Sequence, residues 1–233
     1  MASCISPVHR VKDGPVKRAS IVALPVKVAF LLLSTIAIAA GFPMLNAAEE
    51  LPLMTVPVRV HLMQSAKEPD VQTTLTEADV QRVLGKVNRI WAQAGIRFEA
   101  EAVEKTAALD NVAKAEGALD RWVLASIPRE RMNKSAIHIC YVKRVAPNGF
   151  WPGGRLVIVK DVPLLREVPG GVDEPIPRVT SHELGHALGL VHRQDLTNLM
   201  ASKTTGFSLN AEEIRIAREH AAAFGSGKTG DAK

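Results

Sequence analysis

An α+β domain over residues 49–225 is the fold class that three features predict. A period-two apolar stretch at residues 56–64 leads into a period-3.6 stretch that stops at Gly95; short apolar runs follow; and two helix patterns close the chain. In residues 56–64 (VPVRVHLMQ), Val56, Val58, Val60 and Leu62 alternate with other residues, the pattern of a half-buried strand. Thr76, with Asp79 three residues on, opens a helix as a capping-box variant. Val80, Val83, Leu84, Val87, Ile90, Trp91 and Ala94 then keep one apolar face. Residues 96–102 read as a second strand, 119–127 as a short helix ended by Pro128, 135–145 as a third strand and 156–159 as a fourth. Residues 147–177 are otherwise crowded with proline and glycine and are expected to be rim loops over a surface. A helix over about 179–188 and a last one over 211–224, opened by Asn210 with Glu213, complete the domain, and residues 226–233 are expected to be a flexible tail.

The chain has 233 residues, 47% apolar and 23% charged, enough to bury a core. Its net charge of +5 is not evenly spread. Residues 1–48 carry Arg10, Lys12, Lys17, Arg18 and Lys27 against Asp13 alone, which leaves the rest at +1. A nucleic-acid partner is therefore not expected. Cys4 and Cys140 are the two cysteines, one in the leader and one in the body, so no disulfide framework holds a mature chain together. Residues 28–48 are uncharged and begin with a dense apolar run behind a basic segment, the order of a secretory signal, with Ala47-Ala48 as a cleavage point before Glu49. The alternative is an uncleaved membrane anchor. Both place the body outside the cytoplasm, secreted or periplasmic, with membrane contact only through this segment.

The chemistry concentrates in residues 182–192, HELGHALGLVH. Helical positions four apart differ by about 40° around the axis and one turn along it, so His182 and His186 present two imidazoles to one point. Glu183 leans over the same side, and Leu184, Ala187, Leu188 and Val191 form the opposite, core-facing stripe. Gly189 is where the chain can take positive φ and leave the helix, letting His192 turn back as a third nitrogen ligand. Three neutral imidazoles and an open fourth position describe a catalytic zinc site. Zinc lowers the pKa of a bound water to about 7, and Glu183 is placed to act as general base on it. Nitrogen ligands favour one Zn²⁺ over magnesium or calcium.

With its fixed spacing, this motif resembles the metzincin signature, and residues 193–200 (RQDLTNLM) after it are similar to the matrixin-like branch. The resemblance implies a metzincin-like catalytic domain: a twisted, mostly parallel sheet, a long backing helix, a zinc helix at the cleft and a C-terminal helix. Met200 matches the methionine of the tight Met-turn beneath the metal. Ala201-Ser202 stand where matrixins usually have Tyr-Pro. The implied activity is that of a zinc metalloendopeptidase acting on a peptide or protein substrate as a monomer. The resemblance also makes Leu156, Val157, Ile158 and Val159 the edge strand that lines the cleft and binds the substrate, with backbone groups unpaired on one side.

Blander readings accompany each feature. A metzincin-fold zinc protein that binds a partner without hydrolysis is the alternative function, which an intact Glu183 disfavours; a structural zinc module is disfavoured by the open site. Asp195 reads as a turn residue, His61, His138 and His220 as structural, and Cys140 as an inert core thiol.

Overall fold

The computed structural model describes residues 51–109, 119–161 and 175–225. The expected leader (1–48) and tail (226–233) lie outside the described residues. Among the described residues five strands and four α-helices follow in the order β1 (Met54–Gln64), α1 (Glu77–Trp91), β2 (Ile96–Ala107), α2 (Leu119–Ala125), β3 (Ile137–Val142), β4 (Gly149–Phe150), β5 (Leu156–Lys160), α3 (Pro175–Ala187) and α4 (Ala211–Gly225). Among the described residues no helix is long and apolar enough to cross a membrane.

The strands form one sheet in the order β2-β1-β3-β5-β4. The pairs β1–β2, β1–β3 and β3–β5 are parallel, and only β4 runs antiparallel, against β5. Such a sheet has both faces covered, so its central strands are apolar on both. All six residues of β3 are buried. One face, carrying Val56, Val58, Val60, Ile137, Ile139, Tyr141, Val157 and Val159, packs under α1, α3 and α4. The other, carrying Met63, Cys140, Val142, Leu156 and Ile158, is covered by Trp122, Val123 and Ile127. The helix α1 has the expected capping box, with Thr76 accepting from the Asp79 N–H and the Asp79 carboxylate accepting from the Thr76 N–H. It runs through one 3₁₀ turn (Ala92–Ala94) into Gly95, at φ +61°.

Four expectations are corrected. Residues 156–159 are an open edge only in part: Val159 and Ile158 pair outward with Gly149 and Phe150, and the Lys160 N–H donates to the Asn148 carbonyl at 2.8 Å, whereas Leu156 and Val157 have no strand partner on that side among the described residues. The stretch 147–177 is thus not loop alone, because two of its residues close the sheet; two residues are too few for alternation to register. The zinc-motif helix starts at Pro175, four residues earlier than expected. Proline is admissible there because N–H groups of a first helical turn have no intrahelical acceptor. Finally, Val191 does not join the core stripe but is 65% exposed, since the chain has left the helix by then.

Candidate metal centre

Packing against the sheet buries nearly all of α3 from Ile176 to Gly185, including His182 and Glu183. The helix then ends as expected at Gly189, which adopts φ +83°. The Gly189 N–H bonds the His186 carbonyl and the Leu190 N–H reaches back to Gly185 O at 2.9 Å. A side chain at 189 would also strike the His220 ring, 2.5 Å from its nearest atom. This turn brings His192 back over the helix, and one ligand nitrogen from each of His182, His186 and His192 lies within 4.8 Å of the other two.

The hydrogen bonds fix which nitrogens are free. His182 Nδ1 lies 2.8 Å from Leu199 O and His186 Nδ1 lies 2.8 Å from Leu190 O. A carbonyl only accepts, so both Nδ1 atoms carry the proton and both Nε2 atoms present lone pairs. His186 Nε2 faces His192 Nε2 at 3.2 Å. Two nitrogens bound to one tetrahedral zinc at 2.0–2.1 Å lie about 3.3 Å apart, the spacing of this pair. Burial pushes the His182 imidazole down to about 4, and His186 is lowered for the same reason. Both are thereby held neutral, the state a metal ligand requires.

Glu183 projects into the same cleft, and its carboxylate has no hydrogen-bond partner among the described residues. Burial pushes it up to about 7, opposed by the nearby Arg178. The cleft encloses about 660 Å³ between Asn148 and Gly149 of the β4 side, α3, and the loop at Ser202 to Thr205. β4 passes so close to α3 that a Cβ at Gly149 would sit 2.6 Å from Val179 Cγ1 and 3.1 Å from Glu183 Oε1. Trp151 stacks beside His186, ring centres 6.2 Å apart.

Met200 is fully buried in the turn beneath the histidines, and a Cβ at Gly185 would meet its Sδ at 2.5 Å. The turn is held from several sides. Met200 N–H donates to Asn198 Oδ1, Asn198 Nδ2 to Glu213 Oε2, and Arg193 Nε to Glu213 Oε1, at 2.7, 2.7 and 2.8 Å. Glu213 also accepts from the Asn210 N–H as the expected cap of α4. Asp195 makes a local turn by accepting from the N–H and hydroxyl of Thr197.

Sequence reasoning missed three participants: β4, the bridging role of Glu213, and Arg178. Arg178 Nη2 donates to the carbonyls of Leu199 and Ala201 and to Thr204 Oγ1, and its Nε donates to Gly206 O. Its position four residues before His182, on the same helical face, was the available signal. Of residues 156–159, predicted to bind substrate, Ile158 and Val159 lie behind β4, and all four are buried. His61 and His138 bond each other at 2.8 Å within the sheet, away from the three-histidine cluster, and Cys140 is fully buried with its thiol pushed up by burial.

A buried helix carrying two histidines, a third returned by a glycine turn, and a methionine loop below them define a metzincin-like peptidase fold with a cluster of three histidines that could hold a metal ion. The chain is similar to archaemetzincin from Methanopyrus kandleri, at 15% identity over 72% of this chain and 95% of that one, with a TM-score of 0.51. It is also similar to mirolysin in complex with compound 9, at 12% identity over 72% and 92% of the two chains and a TM-score of 0.50. At these identities the likeness is one of fold. No family model and no curated protein matches the sequence.

Proposed function

We propose that this chain is a secreted or periplasmic endopeptidase dependent on one Zn²⁺ held by His182, His186 and His192, with Glu183 as general base and Met200 as the floor of the site. The observation that supports it most is the convergence of three ligand nitrogens, two of fixed tautomer, beside an unpartnered carboxylate in an open cleft. When bound, zinc supplies a Lewis acid that makes a water acidic near neutral pH and polarises the carbonyl under attack. His182 and His186 are held in register by the carbonyls of Leu199 and Leu190, so the loop carrying Met200 orients one ligand directly. Glu183, with no protein partner to compete, receives the proton from the attacking water and passes it to the departing amine. An extended peptide is held in this reading along β4, whose pairing with β5 uses one side of Gly149–Phe150 and which has no further strand beside it among the described residues.

The test is purified protein assayed for zinc content and for cleavage of a mixed peptide library, with and without a chelator. One zinc per chain and chelator-sensitive internal cleavage are expected. Full zinc without cleavage would support the non-hydrolysing alternative. Mass spectrometry of exported protein should find an N-terminus close to Glu49 if the leader is removed.

A further inference from the structure

One helical turn before His182 on α3, the cleft lining carries a buried cation that feels the charge of Glu183 but forms no ion pair with it. Arg178 is 9% exposed. Its Nε and Nη2 are spent on carbonyls and a hydroxyl of the loop from Leu199 to Gly206. Nη1, by contrast, has no partner among the described residues, and it is not among the polar atoms sealed from solvent without one. Arg178 lines the cleft, and this nitrogen, neither bonded nor sealed from solvent, is available to a ligand. No carboxylate lies within ion-pair distance of Arg178 among the described residues. Lys203 is the second cation on the lining, on the loop that Arg178 clamps, and adopts φ +61°. Thr204 and Thr205 add hydroxyls beside them. The one anionic residue on the lining, Glu183, belongs to the reaction.

Desolvating a guanidinium is costly, and the cost is recovered when an anion completes its hydrogen bonds; a charge-assisted bond in such a place is about twice as strong as a neutral one. An aliphatic occupant would strip water from Nη1 and return nothing, and a cationic one would be repelled by both residues. We infer, resting on the peptidase reading above, that this pocket selects a carboxylate next to the scissile bond, with Arg178 as the specificity-determining residue and Lys203 assisting. The carboxylate is either an Asp or Glu side chain of the substrate or the free C-terminus of a short peptide, two sources of the same chemistry.

The test compares peptides that differ only at the two residues flanking the bond, carrying Glu, Gln, Leu or Lys there, each as C-terminal amide and as free acid. Glu over its isostere Gln should gain on the order of tenfold to a hundredfold in kcat/KM, the value of one charged hydrogen bond. If the preference follows the free acid and not the side chain, the carboxylate is the C-terminus. Equal cleavage of Glu, Gln and Leu peptides, or a preference for Lys, would overturn the inference. Arg178→Met should collapse the Glu:Gln ratio, whereas a purely loop-holding role would lower all substrates in proportion and leave the ratio intact. Lys203→Ala, at an exposed position, should reduce the ratio severalfold if Arg178→Met does not fold, and an unchanged ratio counts against the inference. Binding of the same peptides to zinc-loaded Glu183→Gln by fluorescence anisotropy separates the two readings. Tighter binding of carboxylate peptides there, with no hydrolysis by the wild type, would defeat the peptidase reading and sustain the pocket; cleavage with no carboxylate preference would do the reverse.

Discussion

At the scale of single residues the proposed chemistry divides into holding an ion and moving a proton, and two sets of substitutions separate these. Glu183→Gln keeps shape and all three histidines but cannot accept a proton, so zinc should stay near one per chain while kcat falls by about 10²–10⁴. Near-wild-type turnover would remove Glu183 from its role. His182→Ala or His186→Ala should instead lose zinc. A different residue-scale consequence comes from the sheet. His61 is 1% exposed, hydrogen-bonded through Nδ1 to Thr106 Oγ1 and through Nε2 to His138. Burial first, and the charge of His138 second, push it down to about 4. Protonation is therefore easier in the unfolded chain than in the folded one. Its contribution is intact above about pH 6.5 and is lost as pH falls from there toward 4, a change of roughly 3 kcal/mol. Urea midpoints should drop across that window, and the His61 imidazole resonance should not titrate above about pH 5; a midpoint near 6.5 would contradict this.

At the scale of elements, the site depends on how closely β4 and α3 approach. Gly149 is required by that contact and not by its backbone angle, because any Cβ there intrudes on Val179 and on the Glu183 side chain. Gly149→Ala should therefore cut turnover by an order of magnitude or more while leaving zinc content unchanged, since no histidine is touched. Equal kcat in the variant would show that Glu183 has room to spare. The same contact explains where sequence reading succeeded and failed. The helices α1 and α4 were legible from capping residues three apart and from apolar spacing, both local signals. The edge was not, because whether a strand such as β5 stays exposed depends on a two-residue partner seven positions upstream, inside a stretch whose composition announces only turns.

At the scale of the whole molecule, Glu213 joins three segments distant in sequence: the residue after the third histidine, the loop before Met200 and the start of α4. It is 1% exposed and accepts three hydrogen bonds. Glu213→Gln turns one acceptor oxygen into a donor facing donors, so it should lower stability by about 2 kcal/mol or more and weaken zinc retention, measured by denaturation and by metal competition with a chelator. Unchanged zinc affinity would reduce Glu213 to a helix cap. The sequence by itself determined the parts that depend on helical and strand period: the longer strands, His182 and His186 with Glu183 on one side of a helix, and the glycine exit that turns His192 back. Only the tertiary structure decided which strand borders the cleft, which donors Glu213 satisfies, and that Arg178 lines the pocket with a nitrogen to spare. Helical spacing acts over four residues and is written in adjacent letters, whereas each of these is settled by groups that meet only after the sheet has formed and the chain has folded back across it.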